Sequence, residues 1–138
     1  MRDLVNGAIL RAATERDLPE IHKLIAENAG TVLKRTDEEV MELFPNFWVI
    51  ELETTIIGCC CLEIYSKKIA EVRTLAVKPE FRGRGYARAL VREAIETANS
   101  NGIPQVLTVT SSPEFFEKLN FGPCLKEKYA LFWNGKLD

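Results

Sequence analysis

The segment from Ala70 to Ala87 constrains this chain more than any other. It opens as the β-rich run Ala70-Glu71-Val72-Arg73-Thr74-Leu75-Ala76-Val77 and crosses Lys78-Pro79-Glu80-Phe81. It then reaches Arg82-Gly83-Arg84-Gly85-Tyr86-Ala87, where a long helical pattern starts. N–H groups in the first turn of a helix lack intrahelical partners and carry the positive end of the dipole. Glycine lets the chain turn sharply and lets an anion approach the backbone. Arg82 and Arg84 add fixed positive charge. A strand, a glycine–arginine turn and a helix in that order make a cradle for pyrophosphate. Without its flanks the same hexapeptide is only a basic turn, so the strand and helix carry the weight.

The rest of the chain supplies elements around that unit. Ile9 to Ala12 can form a first strand. Thr14 caps a helix with Asp17 three residues on and Pro19 in the first turn, and Leu18, Ile21, Leu24 and Ile25 recur at helical spacing. That helix ends near Asn28 to Gly30. Thr36-Asp37-Glu38-Glu39 caps a short second helix carrying Val40, Leu43 and Phe44, which Pro45-Asn46 breaks. Phe47 to Leu52 and Thr55 to Tyr65 read as a hairpin turning at Glu53-Thr54. Helix Gly85 to about Ser100 presents Ala89, Leu90, Ala94, Ile95 and Ala98, and Asn101-Gly102 stops it. A strand from Val106 to Thr110, a short helix from Pro113 to Leu119 and a last strand from Tyr129 to Trp133 follow.

The unit from 70 to 110 requires a parallel pair with a right-handed crossover, whereas the hairpin requires antiparallel pairing. The expected class is therefore α/β (α+β): a mixed, mostly antiparallel sheet flanked by helices, in one domain over residues 1–138.

Bulk properties narrow the function. The chain has 18 basic and 20 acidic residues, a net charge of −2. Such a balance does not suit a general nucleic-acid binder. No apolar run reaches membrane-spanning length, and Met1 to Gly7 holds no hydrophobic signal core, so a cytoplasmic protein is expected. Cys59, Cys60 and Cys61 are consecutive in a strand and alternate between its faces, so they do not converge on a metal. Buried, reduced thiols are expected, with no metal site. His22 reads as a surface residue of the first helix.

The anchors Arg82, Gly85 and Ala87 of that turn resemble the acetyl-CoA signature of the GNAT N-acetyltransferase superfamily, Arg/Gln-x-x-Gly-x-Gly/Ala. The order of elements resembles that fold over essentially the whole chain. The resemblance implies acetyl transfer from the thioester of acetyl-CoA to an amine, by direct attack without an acyl-enzyme. It places pantetheine along Leu75, Ala76 and Val77, and pyrophosphate on the amides from Arg82 through Gly83, Arg84, Gly85 and Tyr86 to Ala87. An amine with a pKa of about 10.4 is mostly protonated at neutral pH, so a base must take its proton. In the pattern Ala-Glu-x-x-x-Ala-Val the resemblance offers Glu71 as that base. The same residue is also placed to pair with Arg73, two positions on and on the same face. Where many members carry a tyrosine that protonates the leaving thiolate, this chain has Phe116.

Within the superfamily the chain most resembles the N-acetylglutamate synthase branch, the amino-acid acetyltransferases. The matching text is Leu33 to Val40, Phe47 to Ile50, Ile57-Gly58-Cys59, Ala70-Glu71-Val72 and Pro113 to Leu119. The branch implies that Arg35 holds the substrate carboxylate, with Arg73 as a second substrate-binding candidate. Ser111 stands where some synthases carry an arginine, which counts against a dicarboxylate. The expected partner is a small-molecule amine, an amino acid such as glutamate. A polyamine, a protein lysine or N-terminus, and a non-catalytic acetyl-CoA-binding regulatory role are the alternatives. Homodimerisation through the C-terminal strand is left open.

Overall fold

Six strands form one sheet in the computed structural model, which describes residues 1–123, 131 and 133–136. In sheet order these are β1 (Arg2–Asp3), β2 (Ile9–Ala12), β3 (Phe47–Leu52), β4 (Thr55–Ile64), β5 (Ile69–Val77) and β6 (Gln105–Leu107). Neighbours are antiparallel except β5 and β6, which are parallel. The helices are α1 (Leu18–Glu27), α2 (Asp37–Met41), α3 (Tyr86–Ser100) and α4 (Pro113–Glu117). The mixed, mostly antiparallel sheet agrees with the expectation, and its one parallel pair is the pair that the strand–helix–strand unit requires. Two-residue β1 carries no sequence pattern and was not expected. The expected strand from Tyr129 to Trp133 lies outside the described residues except for Leu131 and Trp133.

Local chemistry sets the element ends. The Thr14 N–H donates to Asp17 Oδ2 at 2.8 Å, closing the entry to α1. Leu18, Ile21, Leu24 and Ile25 are buried along α1, as their spacing predicts. At α2 the Thr36 N–H donates to Glu39 Oε1 at 2.8 Å and the Glu39 N–H returns to Thr36 Oγ1 at 3.2 Å, a full capping box. The β3–β4 turn has φ of 48° at Glu53 and 69° at Thr54. Positive φ at both central positions matches the twist of a two-residue hairpin. Asn120 also takes a left-handed φ of 68°, as the Leu119-Asn120-Phe121 turn demands.

Two apolar cores form, one on each face of the sheet. Ile57, Cys60, Leu62, Ala70, Val72 and Val77 join Leu90, Val91 and Ala94 of α3 on one face. Ile56, Cys59, Cys61 and Ala76 join Ile21, Leu24 and Ile25 of α1 on the other. A simple alternation cannot produce those sets: Val72 and Ala76 are both even-numbered yet lie on opposite faces. The pairing explains it. Cys59 faces Ala76 but Cys61 faces Arg73, so β5 has one residue more than β4 across that interval. This is a β-bulge, and it swaps the faces of β5. Thr74, at φ 55°, sits within it.

Candidate active site

The turn before α3 is built as an anion site. Gly85 precedes the helix with φ 90°, and Gly83 has φ 76°. A Cβ at either position would meet nothing within 4 Å, so the backbone faces open space. The Arg82 N–H, expected to serve pyrophosphate, is instead taken by Pro79 O at 3.3 Å, and the next N–H to reach a backbone acceptor is that of Ala89, on Gly85 O at 3.1 Å. Among the described residues the N–H groups from Gly83 to Arg88 have no acceptor. Tyr86 is buried in the α3-side core, so only its main chain serves the turn. Arg82 Nη2 donates to Asn28 Oδ1 at 2.7 Å, which ties the turn to the end of α1. The Arg84 guanidinium instead lies over the Phe81 ring, 5.2 Å from its centre.

Beside that turn the sheet opens. β6 pairs with β5 only from Gln105 to Leu107, opposite Ile69 to Glu71. Thr108 Oγ1 then donates to Val72 O at 3.2 Å and the chain leaves the sheet. The strand expected to run to Thr110 is therefore shorter. Among the described residues, β5 has a strand partner from Arg73 to Val77 only on its β4 side. A cleft of about 500 Å³ runs along the bare edge, bounded by Val72 to Val77, Arg82, Ala87, Thr108 to Ser112 and Phe116. It thus contains Leu75, Ala76 and Val77. Phe116 is buried, packed edge-on against Phe115 and Phe121 with centres 5.0 and 5.3 Å away.

A second cavity, of about 470 Å³, lies on the α1 side of the sheet, and Arg35, Glu39, Phe44, Glu63 and Arg73 are on its wall. Arg35 Nε donates to Thr74 Oγ1 at 2.9 Å. Among the described residues no carboxylate comes within ion-pair distance of Arg35. Arg73 is on the wall of both cavities. Its Nη1 donates to Glu63 Oε1 at 2.8 Å, while its Nε is 3.9 Å from Glu71 Oε1. The stronger partner of Arg73 is thus Glu63, not the Glu71 that the sequence suggested.

Glu71 is on the wall of neither cavity. Its Oε1 accepts a 2.5 Å hydrogen bond from Tyr65 Oη. Burial, followed by that contact, pushes the Tyr65 hydroxyl up to about 12. Glu63 and Tyr65 escaped the sequence reading; Glu63, two residues from Cys61, has only strand alternation to mark it. Cys59 and Cys61 face one core and Cys60 the other, all three buried. Burial also pushes the Cys61 thiol up to about 11. His22 Nε2 lies 2.6 Å from Asp37 Oδ1, joining α1 to α2 away from both cavities. Among the described residues no group of three or more His, Cys, Asp or Glu is placed to hold a metal, and no helix is long and apolar enough to cross a membrane.

Known proteins share the sequence pattern and the fold. The family described as Acetyltransferase (GNAT) matches residues 12–121. The chain is 35% identical over 100 residues to an uncharacterized N-acetyltransferase of Chlorobaculum tepidum, covering 72% of this chain and 64% of that protein. It is 30% identical over 117 residues to the amino-acid acetyltransferase of Mycobacterium tuberculosis, covering 82% of this chain and 67% of that one. Its fold matches N-acetylglutamate synthase from Neisseria gonorrhoeae, solved with coenzyme A and N-acetyl-glutamate. There the TM-score is 0.74 at 27% identity, covering 81% of this chain and 27% of the synthase. The chain thus spans about two thirds of the two shorter relatives and about a quarter of the synthase. With the matched region running from β2 through the cradle to the turn after α4, the chain belongs to the GNAT acetyltransferase family.

Proposed function

We propose that this chain is an acetyl-CoA-dependent N-acetyltransferase whose acceptor is a small amine carrying a carboxylate, an amino acid. One observation carries the reading: Arg73 stands on the wall of both cavities, so the two spaces meet at one residue. Direct transfer between two substrates needs two binding spaces that touch, because the reacting atoms must be held about 3–3.5 Å apart. On the cleft side, the N–H groups from Gly83 to Arg88 and the Arg82 guanidinium would bind pyrophosphate. The bare edge of Leu75, Ala76 and Val77 would pair with the amides of pantetheine as a neighbouring strand does. Acetyl-CoA, so held, supplies the activated acetyl group.

On the other side, Arg35 offers a guanidinium that no carboxylate of the described residues occupies. Thr74 fixes its Nε and leaves its other nitrogens for a ligand, and a fork of N–H donors suits a carboxylate. The names and bound molecules of the relatives support the same class of acceptor. Phe116 supplies no acidic hydroxyl to the cleft, so the leaving thiolate takes its proton from elsewhere.

Replacing Arg35 tests the acceptor half. Losing a charge-assisted hydrogen bond costs roughly 1.5–3 kcal/mol, about one to two powers of ten in affinity. Arg35→Met should raise the KM for an amino acid by that factor and leave the KM for acetyl-CoA unchanged. If every amine is indifferent to Arg35→Met, the carboxylate site is not there.

A further inference from the structure

We propose that Glu63 is the carboxylate that meets the acceptor's amine and takes its proton, and that Glu71 and Tyr65 are positioning residues that hold it; this rests on the transferase reading above. Glu63 of β4 and Glu71 of β5 lie directly opposite each other. Alternation puts Cys61 and Glu63 on one face of β4, and Cys61 marks it as the α1 side, where Arg35 lies. Only one of the two residues lines the acceptor cavity. Glu63 is on its wall with a side chain 30% exposed, whereas Glu71 is 14% exposed and covered by the Tyr65 hydroxyl.

The two oxygens of Glu63 are used differently. Oε1 accepts from Arg73 Nη1 at 2.8 Å and from Tyr65 Oη at 3.3 Å. Among the described residues Oε2 has no donor, which leaves it for a ligand. The surrounding groups keep this geometry. Like charges opposite each other in a sheet repel. Arg73 answers that repulsion by standing within reach of both carboxylates. Tyr65, with its hydroxyl held high by burial and by Glu71, remains a donor. Lys34 and Arg35 before α2, Glu39 within it and Glu42 after it complete the charged wall. Arg35 and Glu63 thus offer opposite charges to the two ends of an amino acid.

The bound ammonium gives one proton to Glu63 Oε2, which frees the nitrogen lone pair. That pair forms the N–C bond at the thioester carbonyl carbon. The C–S bond breaks with its electrons on sulfur, the second N–H proton passes to the thiolate, and Glu63 returns its proton to solvent.

Thiol-release kinetics with an amino-acid acceptor, from about pH 6 to pH 10, test this. Glu63→Gln should lower kcat/KM for the amine by about 10²–10⁴-fold at neutral pH. The gap should close as pH approaches the amine's own pKa, where neutral amine forms without help. Glu63→Asp, which restores the charge, should recover part of the loss and separates lost chemistry from lost fold. Tyr65→Phe and Glu71→Gln should cost less and keep the parent's pH profile. Three results would overturn the proposal: Glu63→Gln within about threefold of the parent at neutral pH, a pH-independent loss that Glu63→Asp does not relieve, or a deeper loss in Glu71→Gln. Failure of the transferase reading looks different: the parent binds acetyl-CoA by calorimetry yet releases no thiol with any amine, which overturns both.

Discussion

Gly85 and Thr74, two of the residues with left-handed backbone in the site, differ in kind. Gly85, at φ 90°, faces open space in front of the free N–H groups of α3. A residue with a Cβ pays roughly 1–2 kcal/mol for that conformation. Gly85→Ala should therefore lower stability by about that amount. Gly85→Glu adds a carboxylate where the pyrophosphate charge would sit, and should weaken acetyl-CoA binding by more than about tenfold. A folded Gly85→Glu protein that binds acetyl-CoA as tightly as the parent, measured by calorimetry, would place the CoA site elsewhere. Thr74, at φ 55°, holds a comparable conformation with a β-branched side chain. Strain of this kind persists where the surroundings over-determine it. Here the Thr74 hydroxyl accepts from Arg35 and lies 3.6 Å from Cys61 Sγ. The strained residue of the bulge and the candidate carboxylate-binding arginine are thus one unit.

At the scale of elements, an ion cluster joins β2, β3 and the start of α1. Arg11 Nη1 and Nη2 each reach an Asp17 oxygen at 2.8 Å, and Nη2 also reaches Glu51 Oε1 at 2.8 Å. Burial alone would raise the Asp17 carboxyl, but hydrogen bonds from Arg11 and Thr14 outweigh it and hold the group below the usual range. A carboxyl lower in the folded than in the unfolded chain stabilises above its unfolded value of about 3.9, and that contribution drains away as pH falls through the folded value. Asp17→Asn should cost about 1.5–3 kcal/mol at neutral pH and little in strong acid. Melting temperatures of the two proteins should converge below about pH 4; parallel curves would contradict the role given to Asp17. The same region shows why elements were legible. Thr14, Asp17, Pro19 and the spacing of Leu18 to Ile25 are local signals, and so is the Arg82 to Ala87 turn. The bulge was not legible. Its left-handed position is held by Thr74, a residue that signals an ordinary strand, and one added residue swapped Ala76 to the other core.

At the scale of the molecule, the sheet holds together at Ile69–Glu71 and opens beyond it. That opening gives the cleft its bare strand edge, and Thr74 in the bulge of the same strand holds Arg35 on the wall that Arg73 also lines. Cradle residues could be found in sequence because they are contiguous. Glu63 could not, because its role depends on where α2 and β5 bring Arg35 and Arg73. Glu71, singled out by its motif, is covered by Tyr65, a contact that depends on the β4–β5 register.

The cleft should hold acetyl-CoA and the cavity beside it a carboxylate-bearing amine, and the protein should join the two. Thiol release from acetyl-CoA by the purified chain tests it directly, with glutamate, glutamine, aspartate, lysine and spermidine as competing acceptors. That joining predicts release with an amino acid, a preference for amino acids over spermidine, and the matching N-acetyl product by mass. Release with spermidine alone, or none with any acceptor while acetyl-CoA binds, would contradict it.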